Sequence, residues 1–294
     1  RDAERDDVGQ RVEIAAERAS NTGTISAAGS QGAGGEVGVA TREGYHDTRS
    51  SLVDASGATR GGSIRIASDG PGARIYTSST LDARGHAGVG GSVVLTADEL
   101  FVMGSQILAD GATQGGSILV GGGYQGGDPG IPNADSLHVN ASARLSANAT
   151  QAGDGGLVVL WADGTTVFSG RIEAKGGVLG GDGGFMEVSG KEAVAFGGFA
   201  TAEAPLGTAG TLLLDPKNIV IDASGVDTGS GPASFEFVDP NKASDNNFGT
   251  STLALSTGNV VITAYGDDLG GSNAGAVYLF DGGDGTLVSA LRGS

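Results

Sequence analysis

The chain contains no cysteine, which removes disulfides and thiolate metal sites from consideration. Aromatic residues are scarce, with nine Phe, five Tyr and a single Trp, so a core must be assembled from Val, Ile, Leu and Ala. Bases are also few: 17 Lys and Arg stand against 34 Asp and Glu, a formal net charge of −17. That charge repels phosphate backbones and anionic membrane surfaces, so no nucleic acid is expected as a partner. It suits solubility or divalent cations, and acidic surfaces are common on secreted bacterial proteins. No apolar run approaches 18 residues, so no membrane span is expected. The periodicity of an amphipathic helix is essentially missing. The first residue is Arg and no signal-like segment precedes it, so the chain reads as a processed form or a piece of something longer.

Glycine, in contrast, is abundant. The 56 Gly and 7 Pro make up about a fifth of the 294 residues, below the ~25–30% at which an aperiodic chain counts as low-complexity. The glycines are also ordered. Gly-Gly pairs precede alternating apolar segments in GGEVGVA (34–40), GGSIRIA (61–67), GGSVVLT (90–96), GGSILVG (115–121), GGLVVLW (155–161) and GGFMEVS (183–189), and AGTLLLD (209–215) is a seventh member. Successive second glycines lie 27, 29, 25, 40, 28 and 26 residues apart. The one long gap contains GGGYQGGDPGIPN (121–133), a turn-rich insertion. Each repeat carries a second signature before its Gly-Gly, as in VDASG (53–57), LDARG (81–85) and ILADG (107–111). A third apolar segment lies between the two, as in ARIYT (73–77), ELFVM (99–103), SLHVN (136–140), TVFSG (166–170) and AVAFG (193–197).

Three short strands per repeat of about 27 residues cannot bury their own apolar face, but coil stacked on coil can. The expected fold is therefore all-β: a right-handed parallel β-helix over 1–222 with a loop insertion at 121–135, then a less regular β extension over 223–294. The pleat assigns the columns. After Gly-Gly the inward residues are Val37 and Val39, Ile64 and Ile66, Val93 and Leu95, Ile118 and Val120, Val158 and Leu160, Met186 and Val188, and Leu212 and Leu214. The preceding strand contributes pairs such as Ile25 and Ala27, Val53 and Ala55, Leu81 and Ala83, and Ile107 and Ala109. A slip of one residue would turn every one of these outward.

GTLLLDPKNIVI (210–221), following Gly-rich coils of this type, resembles the large exoproteins of bacterial two-partner secretion, the filamentous-haemagglutinin-like adhesins. The likeness extends over roughly 10–265 and includes TGNVVITA (257–264). It implies a chain that crosses the outer membrane through a dedicated partner pore, folds outside as a right-handed β-helix, and acts as an adhesin or filament without catalysis. The secretion domain of that family, with its Asn-Pro-Asn-Leu type motifs, is not found in this sequence. Asp215-Pro216 is read as a break, since Pro cannot donate to a ladder and restricts the residue before it. Ile219 and Ile221 are expected to restart alternation in a new direction. Farther on, SFEFV (234–238) is a strand candidate. GAVYLFDGGDGTLVSAL (275–291) signals a hairpin, with a faint resemblance to a blade element of Gly-rich propeller repeats.

No motif carries a specific reaction. His46, His86 and His138 lie in unrelated contexts. GGDGG (180–184) and GGDGT (282–286) approach a calcium-binding nonapeptide but lack its Asp, so they read as plain turns; calcium is the one ion they suggest, and no cofactor is expected. An outward column holds Asp54, Asp82 and Glu173 with Arg84 and Lys175 beside it, interrupted by Leu108 and Ser146. Two carboxylates one rung apart either share a cation or proton or repel. Polysaccharide lyases on this fold use such clusters, and the plainer reading is a solvated face. Val94, Leu119 and Val159, with Trp161 at the edge, form an outward apolar stripe that needs a cover. Either the insertion or a partner chain supplies it, and the insertion is favoured because it leaves the same strand. Asn140 and Asn148 stand in Asn-x-Ser/Thr sequences that could accept sugar. The resulting expectation is a secreted, extracellular adhesin shaft or filament subunit. Its partners would be further copies stacked head to tail or the rest of a longer chain, and a surface or matrix glycan or protein. The rival is a carbohydrate-active enzyme using Asp54, Asp82 and Arg84.

Overall fold

Alternating apolar residues after each Gly-Gly form the first side of a three-sided coil, and the other two apolar segments form the second and third sides. The computed structural model describes residues 9–221 and, farther along, 237–293 apart from 244, 256–258, 269, 273 and 282–284. One coil runs Ser92–Thr96, Glu99–Val102, Gln106–Leu108; the next runs Ser117–Val120, Ser136–Val139, Arg144–Ser146. About eight such turns of some 28 residues stack as a parallel β-solenoid.

Register confirms the column assignment. Ile64, Val93, Ile118, Val158, Met186 and Leu212 face one another in sequence down the first side. Val53, Leu81, Ile107, Leu145 and Ile172 do the same on the third. Apart from the terminal rungs these inward side chains are buried, and most of them completely. Val12, Ile14 and Ile25 at one end, with Leu212, Leu214 and Ile219 at the other, are only partly covered. In an early coil the first two sides are one continuous strand, Glu36–Asp47, which pairs with Ser63–Ser68 through its first half and Arg74–Thr77 through its second.

The Gly-Gly pairs have a steric cause. A Cβ on Gly90 would lie 2.0 Å from the Ala109 carbonyl oxygen, and one on Gly91 would lie 2.0 Å from that of Gly62. The corner thus brings backbone against backbone on both sides, at a separation where no side chain fits. Inward Ala residues such as Ala83 and Ala109, fully buried, fill the narrow space just before it.

The break at Asp215-Pro216 differs from the expectation. Ile219–Ile221 does not set off in a new direction; it pairs in parallel with Ala193–Phe196 and adds one more rung to the second side. The residues between form the corner, which lies on the preceding one. Lys217 donates its N–H to Lys191 O (3.3 Å), and Asn218 Nδ2 donates to Glu192 O (3.1 Å). Pro216 sits where no ladder hydrogen bond is called for.

The C-terminal part forms a separate four-stranded antiparallel sheet of Phe248–Ala254, Asn259–Ala264, Ala276–Asp281 and Leu287–Arg292, in that order. The last two strands are the hairpin read from 275–291. Val260, Ile262, Ala276, Tyr278 and Phe280 bury one face together with Phe237. Most of the strand candidate 234–238 lies outside the described residues; Phe237 belongs to this small core without being in a strand.

Candidate functional site

The third side brings Asp54 and Asp82 into register as neighbours, with Leu108, Ser146 and Glu173 following. The two aspartates are not poised as a shared cation site, because each is engaged locally. Asp54 Oδ1 accepts from Ser56 N (2.9 Å) and Ser56 Oγ (2.7 Å). Asp82 is buried and held by Arg84 through Nε and Nη2, at 3.0 and 2.5 Å. The hydrogen bond to Asp82 raises the Arg84 pKa above its usual value against the opposing effect of burial, and the charges of Asp110 and Asp54 add to it. Glu173 takes Arg171 Nε at 2.5 Å, with Lys175 Nζ at 3.8 Å. Burial alone would raise the Glu173 pKa, but the Arg171 hydrogen bond and nearby cations outweigh it and hold the group below the ordinary carboxylate range. Asp82 and Glu173 are thus neutralised pairs, while Asp54 is held by Ser56 alone.

A second set of oxygens, absent from the sequence reading, joins coil to coil. Asp110 Oδ1 accepts Asn148 N–H (2.8 Å), and Asn148 Oδ1 accepts Lys175 N–H (2.7 Å). Asp154 and Asp182 repeat the arrangement toward Asp182 N–H and Thr208 N–H, both at 2.7 Å. Asp47 does so most fully, taking the N–H groups of Ser78 and Ser79 and the hydroxyls of Thr77 and Ser79. In each case the acceptor belongs to the earlier coil and the donor to the next; Asp98, which accepts Gly72 N–H at 2.5 Å, runs the other way. Asn148 is therefore half-buried and in use, while Asn140 Oδ1 accepts only its local Ser142 N–H. Of the two calcium-like sequences, Asp182 is occupied as described, and much of 282–286 lies outside the described residues.

On the first side Val94, Leu119 and Val159 are register neighbours, and Glu187 continues their column. Val94 and Leu119 are half-buried, whereas Val159 and Trp161 are buried, at 0% and 6% exposed. The insertion lies over this end of the column. Gly122 and Gly126 approach the Trp161 indole so closely that a Cβ on either would come within 2.7 and 2.5 Å of ring atoms. The Tyr124 ring meets Phe185 edge to face, with centroids 5.6 Å apart. Asn133 Nδ2 and Trp161 Nε1 both donate to Asp163 Oδ1, at 3.1 and 3.2 Å. Gln125 N–H points at both oxygens of Glu187, a carboxylate with no exposed surface. Burial raises the Glu187 pKa; the Gln125 N–H offsets part of that, and Asp215 adds to it.

The second side holds a column that spacing alone did not announce. His46, Tyr76, Phe101 and His138 follow one another outward, so two histidines from unrelated sequence contexts share one line. Tyr76 and Phe101 stack with centroids 4.4 Å apart and planes 4° from parallel. Arg74 and Glu99 pair beside them at 2.8 Å. His86 lies exposed in the corner after the third side. Among the described residues no group of three or more His, Asp or Glu side chains could hold a metal ion, and no helix is long and apolar enough to cross a membrane.

Comparison with known proteins adds two likenesses. The fold is similar to the crystal structure of the HMW1 secretion domain from Haemophilus influenzae, at 21% identity and a TM-score of 0.50. The match covers 67% of this chain and 49% of that one, so it spans about half the length of the solved structure. At this identity it establishes the β-helical fold. Residues 236–280 match the FG-GAP repeat, a range that takes in the first three strands of the C-terminal sheet almost completely. No curated protein matches the sequence.

Proposed function

We propose that the chain is part of a secreted bacterial surface protein and serves as an adhesin shaft or as the body of an extracellular filament, without catalysis. The observation that supports this reading best is the coil-to-coil pairing that runs along all three sides, in which acids that could do chemistry are instead tied into pairs and coil-to-coil links. Such a stack is stiff along its axis, because every coil is held by its neighbours over three strands. The resemblance of GTLLLDPKNIVI and the likeness to a secretion domain favour export through an outer-membrane partner pore. The partly covered first rung favours stacking against further coils, either of the same longer chain or of another copy. Loops and outward columns are the surfaces left to meet a glycan or protein, and Asn140, whose side-chain oxygen is engaged only within its own turn while that of Asn148 links two coils, is the better of the two sugar acceptors. Residues 1–222 act as the rod and 223–294 as a distinct β module.

Electron cryo-microscopy of the native, undigested material tests this. Continuous fibres with the repeat of stacked coils identify a filament subunit, and single rods with a distinct tip identify a shaft. Compact isolated particles that turn over polymeric glycan would overturn both.

A further inference from the structure

Glu187 is out of keeping with its surroundings. The column it extends is Val94, Leu119 and Val159, and the residue beyond it is Leu213. A carboxylate in such a column is costly to bury unless its charge is met. What meets it is the backbone N–H of Gln125, at 3.1 and 3.3 Å from the two oxygens, with the Ser189 hydroxyl on the same strand lending a smaller share. The charge that acts on it is that of Asp215, which is of the same sign and accepts Gln125 Nε2 at 3.2 Å. Tyr124, Asp128 and Asp135 are the titratable groups of the insertion itself, and Asp163 accepts the indole N–H. The seat is narrow as well. Gln125 and Gly126 both take left-handed backbone angles, φ 51° and 62°, to bring the N–H onto Glu187 and the bare Gly126 onto Trp161.

We propose that residues 121–135 form a strap over Trp161 and Val159 that is clamped when Glu187 is protonated and loosened when it is charged. Seated, the strap shields the apolar end of the column; released, it exposes Val159 and the indole, continuous with half-buried Leu119 and Val94. The sign follows from linkage. A carboxyl group whose pKa is higher seated than free favours the seated state fully below the ordinary glutamate value, about 4.3. That preference is lost as pH rises through the raised value. Each unit of difference changes the seating equilibrium about tenfold. The strap therefore tightens as pH falls and slackens as it rises.

Trp161 is the only tryptophan, so it reports the strap without labelling. Acrylamide quenching of the 294-residue chain, measured from about pH 8.5 down to about pH 4, should give a quenching constant that falls at least about twofold. In Glu187→Gln, which keeps an acceptor for the Gln125 N–H and carries no charge, the constant should be low and flat. Gly126→Val should give a high constant at every pH with unchanged far-UV circular dichroism, because its side chain cannot lie against the indole. A flat profile for the wild type overturns the proposal, as does a pH dependence that survives Glu187→Gln. Should Gly126→Val fold and leave the indole shielded, the strap is not what covers it.

Discussion

Gln125 and Glu187 are 62 residues apart in sequence, and the N–H of one lies 3.1 Å from an oxygen of the other. The link spans the insertion and a strand two coils farther along, so the insertion belongs to the rod's surface and is not a free excursion from it. Four further relationships can be tested directly.

Gly116→Ala and Gly23→Ala should behave oppositely. A Cβ on Gly116 would lie 2.0 Å from Gly91 O, whereas Gly23 has nothing within 4 Å. Gly23→Ala should be neutral or stabilising by about 0.4–1 kcal/mol through the unfolded chain, and Gly116→Ala should destabilise by more than that. Urea midpoints of the two variants check the contrast.

Removing Arg84 strands a buried carboxylate. Arg84→Ala should cost about 1–3 kcal/mol, discounted from the full loss of a buried pair because the Arg84 side chain is 40% exposed. Asp82→Asn should cost less, and in the double variant the two losses should not add. A double-mutant cycle in urea measures the coupling.

Glu173 gives stability that depends on pH. Its folded pKa is depressed, so its contribution is present above the unfolded value, about 4.3, and is lost as pH falls through the folded one. Thermal melts between about pH 7 and pH 3 should therefore show a shallower acid-side decline for Glu173→Gln than for the wild type.

The Tyr76–Phe101 stack should show a coupling of about 0.5–1.5 kcal/mol between Tyr76→Ala and Phe101→Ala, the value expected for an offset aromatic pair. Additive losses would mean that each ring packs on its own strand only.

The coil period and the inward columns were legible because the pleat repeats every two residues and the corner admits nothing larger than glycine. Val93 and Ile118 can be aligned by counting from Gly91 and Gly116, and the register bears the count out. The Asp215-Pro216 corner was misjudged because a proline that ends one strand looks the same whether the chain leaves the stack or turns onto its next side; pairing with Ala193–Phe196 decides it. The aromatic column was present in the quoted segments, but its members differ in type, and only coil-to-coil register sets His46, Tyr76, Phe101 and His138 in line. Glu187 was hidden for a different reason. It follows Met186 in an ordinary alternating strand, and its partner is a backbone N–H from a loop, which leaves no trace in side-chain pattern.

The oxygens of Asp47, Asp110, Asn148, Asp154 and Asp182 give the rod a polarity that its strands alone do not have. At these corners a finished coil holds out an acceptor toward the coil that comes after it in the chain. A polypeptide that takes shape from its N-terminal end thus meets, at these corners, a surface already fitted to the backbone N–H about to arrive. Growth in that order is a series of additions to an existing template, and the ordering of one coil prepares the landing place of the next.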